Sequence, residues 1–244
     1  MGFDMENRRF DAIEKADSGL EAYFRKIYAY VAGGLGLSAL AAWAAIQPAF
    51  LRLMYRMGND GVLEPSLLSW IVLFAPFGLI FAMRSAMRKQ NVGMMQGLFW
   101  LFSALMGLSL GVLMLVYTDE SIMRAFLMTA VVFGGMSLYG YTTGRSLASW
   151  GSFLMVGLIG LIIAGLVNIF LKSSGLAFGL DVICLFVFVG LTAYDTQKLK
   201  LMYQNAEESG ESLQTVVISG ALELYLDFLN IFLSLLRLFG ERKR

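Results

Sequence analysis

Histidine is absent from this 244-residue chain, cysteine occurs once and proline three times. Without histidine there is neither an imidazole general base nor an imidazole metal ligand. A single thiol makes no internal disulfide, and Cys184 lies in an apolar run where it reads as a small packing residue. Charge is scarce as well: 15% of residues carry one, against about 25% in a soluble domain. The net charge of +1 argues against a general nucleic-acid partner. No P-loop or nucleotide-binding motif offers a means of energy coupling. The chain is therefore expected to be no enzyme and to hold no cofactor.

What is plentiful is apolar sequence, at 58% of the chain. Runs near the roughly 20 residues that span a bilayer recur along its length. Seven helical spans are expected, at 27–46, 67–87, 93–117, 122–143, 149–171, 176–197 and 213–239. The fold class is thus an all-α integral membrane bundle, with 1–26 as an N-terminal tail and 27–244 as one membrane domain. The first apolar run lacks a small-residue cleavage site and reads as a span, not a removed signal peptide. Gly58-Asn59-Asp60-Gly61 and Ser173-Ser174-Gly175 mark joints. Pro76 should bend the second span and free a carbonyl that a neighbour must cover.

Eleven basic residues fall on the side of the N-terminus (Arg8, Arg9, Lys15, Arg25, Lys26, Arg84, Arg88, Lys89, Arg145, Lys198, Lys200). Seven fall opposite (Arg52, Arg56, Arg124, Lys172, Arg242, Lys243, Arg244). The excess predicts a cytoplasmic N-terminus. Seven spans then place the basic C-terminal tail outside, against the same rule, unless the last segment re-enters. Ser103-Gly107-Gly111 and Gly160-Ala164 repeat small residues every fourth position, as close helix contacts in a membrane require. Trp70, Trp100, Trp150 and Tyr117 are expected as interfacial anchors.

Carboxylates inside such spans are expensive and point to function. Glu223, Asp227, Asn230 and Ser234 fall at i, i+4, i+7 and i+11, one face of the last span. That face must turn to the protein interior or to water, so the last helix is expected at the centre. Span six presents Phe188, Thr192 and Asp195 on one face. Asp195 reads either as half of a functional pair with Asp227 or as a helix-end residue paired with Lys198. By the expected boundaries the two aspartates stand at different depths, and they meet only if span six extends or span seven starts partly in the cytoplasm. Asp181 reads as a helix N-terminal residue or an outer collar for cations. Arg84 and Arg88 close span two as anchors or as a partner for the aspartates, and Arg237 is expected to reach the far surface.

These segments resemble the Bax inhibitor family, also called the transmembrane Bax inhibitor motif or lifeguard family. The resemblance covers spans two to seven. It rests on Met136–Thr143 (MSLYGYTT), the run Gly151–Leu171, Ala193-Tyr194-Asp195-Thr196-Gln197, and Ala221–Gly240, which contains Leu224-Tyr225-Leu226-Asp227-Phe228-Leu229-Asn230. It looks like a bacterial, inner-membrane member. The resemblance implies a seven-helix bundle around the last helix and a pH-sensitive calcium leak. It further implies that Asp195 and Asp227 form the sensor and contact Ca²⁺, and that Arg84, or else Arg88, serves as a latch. Glu223, Asn230 and Asp181 stand as secondary pathway residues, with lipid, Ca²⁺ and protons as partners. Some bacterial relatives imply a different role, in which the protein binds and restrains another membrane complex such as a protease. Intramembrane proteolysis is disfavoured, because the Gly-rich contexts of such aspartyl enzymes are missing around both aspartates.

Overall fold

A computed structural model describes residues 2–57, 63–209 and 212–243, with side chains for 18–56, 64–206 and 212–243. Among the described residues eight helices run in chain order: α1 (Gly2–Ala45), α2 (Pro48–Met54), α3 (Leu67–Arg88), α4 (Val92–Val116), α5 (Asp119–Thr142), α6 (Ala148–Leu171), α7 (Ser174–Ser209) and α8 (Leu213–Phe239). A short antiparallel pair, β1 (Tyr55–Met57) and β2 (Leu63–Pro65), lies between α2 and α3. Seven helices are long and apolar enough to cross a bilayer, the first of these spans running Ser18–Ala45. Together they make an all-α membrane bundle.

Three boundaries differ from the sequence expectation. Span one begins well before residue 27, within a helix that starts at Gly2. The segment after it is not a simple joint but α2 and the β-pair; the Gly58–Gly61 turn signal lies outside the described residues. Most consequentially, α7 does not stop near 197 but continues to Ser209. Lys198 and Lys200, read from sequence as joint residues, therefore belong to the helix itself.

The last helix is the centre. In its apolar stretch 67% of residues are buried, against 28% or less in every other span. It packs on α7, α5, α1 and α4. Tyr225 is fully buried against Phe99 and Phe102, and its hydroxyl shares a 2.7 Å hydrogen bond with Ser38 Oγ of α1. Ser38 also donates to the Ser103 carbonyl at 2.7 Å, which ties α1, α4 and α8 at one point.

The small-residue ridge of α4 does what its spacing predicts. A Cβ on Gly107 would collide with the Ser38 backbone, and one on Gly111 with Ala45. The ridge on α6 does not: Gly160 is exposed with nothing near it, because α6 lies at the periphery and buries only Gly151 and Leu154. Gly160 faces outward, where lipid covers it at no packing cost. Pro76 sits buried within an unbroken α3, and the carbonyl it frees four residues back, on Val72, accepts a 3.1 Å hydrogen bond from Ser109 Oγ of α4.

Trp70 and Trp150 lie exposed in the first turn of their helices, as anchors should. Trp100 instead stands eight residues into α4 and stacks on Tyr30, 5.6 Å between ring centroids. Tyr117 is buried at the end of α4 beneath Gly240, so it is a packing residue and not an anchor. The C-terminal tail folds onto this same end. Lys243 donates to the Val116 carbonyl through its backbone and holds Asp119 at 2.9 Å through its Nζ. Thus α8 is long and apolar enough for a full crossing, and Lys243 in its basic tail lies beside the α4–α5 joint.

Candidate functional site

Residues 193–197 send each side chain to a different neighbour. Ala193 receives the close approach of Gly140 on α5, and Tyr194 covers Gly151 on α6. Thr196 pairs with Ser137 of α5 at 3.1 Å. Gln197 grips the α5–α6 joint, accepting from Leu147 N at 2.7 Å and donating to the Arg145 carbonyl at 2.8 Å. With α7 fixed in rotation by these contacts, Asp195 faces α8.

The extension of α7 sets its height. Asp195 lies fourteen residues before Ser209, where α7 ends, and Asp227 lies fourteen residues after Leu213, where α8 begins. At 1.5 Å per residue both stand about 21 Å from the α7–α8 joint. The neighbouring pairs keep the same antiparallel register: Leu199 against Gly220, Lys198 against Glu223, and Asp181 against Arg237. The depth mismatch expected from sequence came from ending span six too early.

Asp227 is 3% exposed, and its Oδ2 has no hydrogen-bond partner. The charged groups that act on it are Asp195, Glu223 and Lys198. Asp195, with a side chain 14% exposed, has Lys198 Nζ 4.0 Å from its Oδ1. Lys198 itself sits between both oxygens of Glu223, at 2.9 and 3.0 Å. Four charged groups from two helices thus make one cluster, with Tyr23 of α1 within electrostatic reach of Glu223. Among the described residues no three acidic or thiol side chains are gathered tightly enough to cage a metal.

Tyr23 Oη and Asp227 Oδ2 are buried and lack a hydrogen-bond partner among the described residues, and the buried Ser234 Oγ has only the Cys184 thiol beside it. Asp227 and Ser234 lie on the polar stripe of α8, and Tyr23 of α1 is within electrostatic reach of Glu223, where that stripe begins. A buried oxygen left without a partner costs about 1–3 kcal/mol, and such atoms in line mark where water or an ion fits. Asn230, next on the stripe, donates to its own helix at the Leu226 carbonyl, 2.8 Å away.

Beyond the aspartates Asp181 meets Arg237 at 3.1 Å, so Arg237 does not reach freely to the far surface and Asp181 is an ion-pair partner. Fourteen residues, about 21 Å of helix, separate Asp181 from Asp195. The half-buried Cys184 lies between them beside Ser234. Arg84 and Arg88 are exposed at the end of α3, and neither makes an ion pair. The cation beside the aspartates is Lys198, whose i+3 spacing from Asp195 was the available signal.

The chain matches a family model described as inhibitor of apoptosis-promoting Bax1 over residues 20–244, which adds the first span to the segments that carry the resemblance. It is 43% identical to the inner membrane protein YbhL of Escherichia coli, over 96% of this chain and 98% of that protein. It is 45% identical to an uncharacterized protein, RP147, of Rickettsia prowazekii, over 93% of this chain and 92% of that one. An uncharacterized membrane protein of Streptococcus pyogenes is 33% identical over 93% of this chain and 96% of its own length.

Proposed function

The chain belongs to the Bax inhibitor family, and from that membership and the α7–α8 cluster we propose that it is a multi-pass inner-membrane protein that leaks Ca²⁺ passively under the control of protons. The observation that carries this reading is the carboxylate of Asp227, buried in the central helix with an oxygen unpartnered and Asp195 opposite. Two such carboxylates cannot both hold a full charge cheaply, so protons and a hard cation compete for the same oxygens. The groups that bear on this competition are Asp195 and Lys198 on α7 and Glu223 on α8, with Tyr23 of α1 behind Glu223.

The buried unpartnered oxygen of Asp227, with the Ser234 hydroxyl further along α8 and that of Tyr23 on α1, supplies contacts for a partly dehydrated ion. No energy source is needed for a leak, and the sequence offers none. The excess of basic residues beside the N-terminus supports a cytoplasmic N-terminus, with the α7–α8 joint on the same side.

The test is Ca²⁺ flux into dye-loaded liposomes from mildly acidic to mildly alkaline pH, wild type beside Asp195→Asn and Asp227→Asn. Flux that follows pH in wild type and loses that dependence in both variants supports the reading. Absence of flux from folded, inserted protein at every pH overturns it in favour of a regulatory role on another membrane complex.

A further inference from the structure

A cation already occupies the approach to the aspartates, and it is covalently attached. Lys198 stands one turn from Asp195 on α7, on the side of the α7–α8 joint, with its Nζ 4.0 Å from Asp195 and clasped between both oxygens of Glu223. We propose that Lys198 is the resident counter-cation of the Asp195–Asp227 site, held off it by Glu223, and that this pair sets the site's affinity and preference for a divalent cation. The inference rests on the aspartate-pair reading above and adds the residue that regulates it.

The argument begins with charge. Asp195, Asp227 and Glu223 together with Lys198 carry a formal excess of two negative charges when all are ionised. One divalent ion balances that excess; a single monovalent ion leaves half of it. Without Lys198 the excess is three, and without Glu223 it is one.

Geometry decides where the ammonium goes. A lysine is a point charge on a flexible four-carbon stem with three donors, so it swings more readily than a planar guanidinium fixed by two parallel bonds. Here Glu223 holds it in a two-oxygen contact, while Asp227 keeps a buried oxygen with no donor among the described residues. If Glu223 lets go, the nearest acceptors left for Lys198 are the aspartates. An entering cation must compete with the ammonium for them. Glu223 is therefore a positioning residue for Lys198, and Lys198 is an occluding group.

The reading makes the two neighbouring substitutions act in opposite directions, which general damage to α7 or α8 does not do. The experiment measures the Ca²⁺ concentration dependence of the melting temperature of the full-length protein in detergent, with Ca²⁺ flux in liposomes as a second readout. Lys198→Gln is expected to tighten apparent Ca²⁺ affinity about tenfold, and Glu223→Gln to weaken it about tenfold, since each removes one charge from the cluster around the aspartates. The double variant Lys198→Gln/Glu223→Gln should return to within about threefold of wild type, because the two charge changes cancel.

Single variants that both weaken binding, or both leave it unchanged while Asp227→Asn abolishes it, overturn the role of Lys198 and leave the aspartate site standing. A wild type and an Asp227→Asn protein that are equally indifferent to Ca²⁺ overturn the site itself, unless Lys198→Gln acquires a response. That last outcome supports Lys198 as the occupant directly.

Discussion

Asp227 shows what one side chain costs and returns. Nothing in its surroundings donates to its Oδ2, yet the residue sits in the most buried helix of the molecule. Replacing it with asparagine keeps the shape and removes the charge. Asp227→Asn is expected to raise the melting temperature in detergent by about 2–4 °C, corresponding to about 1 kcal/mol in a chain of this size, while pH-dependent flux is lost. A thermal shift assay run beside the flux assay checks both; a variant that melts lower would remove the case for an uncompensated charge at this position. The polar stripe of α8 was legible because helical periodicity alone puts Glu223, Asp227, Asn230 and Ser234 on one face. Which cation meets the aspartates was not: Arg84, Arg88 and Lys198 are all plausible by charge, and only the rotation of α7, fixed by Tyr194, Thr196 and Gln197, selects Lys198.

At the level of elements, α7 was the hardest to bound. Its apolar run ends near Tyr194, but Gln197 to Glu208 is rich in lysine, leucine, methionine, glutamine, alanine and glutamate, all good helix formers. A reading guided by hydropathy stops where the membrane interface begins, whereas the helix stops where its hydrogen bonds do. The small-residue ridges divide in the same way, since sequence shows the spacing and not the partner. Gly107→Leu should disrupt the α1–α4 contact and abolish recovery of folded protein, whereas Gly160→Leu, with nothing near it, should express and melt as wild type. Size-exclusion profiles of the two variants check this pair. Ser109→Ala strips the partner from the Val72 carbonyl freed by Pro76 and should lower stability by about 1 kcal/mol, read from the same thermal assay.

Across the whole molecule, seven helices are long and apolar enough to cross a bilayer, and the clasp of Lys243 on Asp119 and Val116 holds the basic tail beside the α4–α5 joint. Seven crossings with a cytoplasmic N-terminus would put that tail on the far side, against the charge-asymmetry rule. In a Cys184→Ser background, a single cysteine introduced at Lys89 should react with an impermeant maleimide only from the cytoplasmic side, and one at Arg242 only from the other. Labelling of both from one side would refute the orientation. Lys243→Ala should cost under about 1 kcal/mol, because Asp119 is largely exposed.

The helix at the centre of this bundle follows, in chain order, every span that packs against it. A ribosome therefore delivers those spans before the segment they enclose exists. Until α8 is made, the bundle is a shell without its middle, and the surfaces that will grip Tyr225 and Asp227 face lipid or one another. The finished fold cannot be approached by adding spans one at a time to a growing core. It must close in a late step, when α8 leaves the insertion machinery beside α7 carrying its carboxylates, with Lys198 already at hand to meet them.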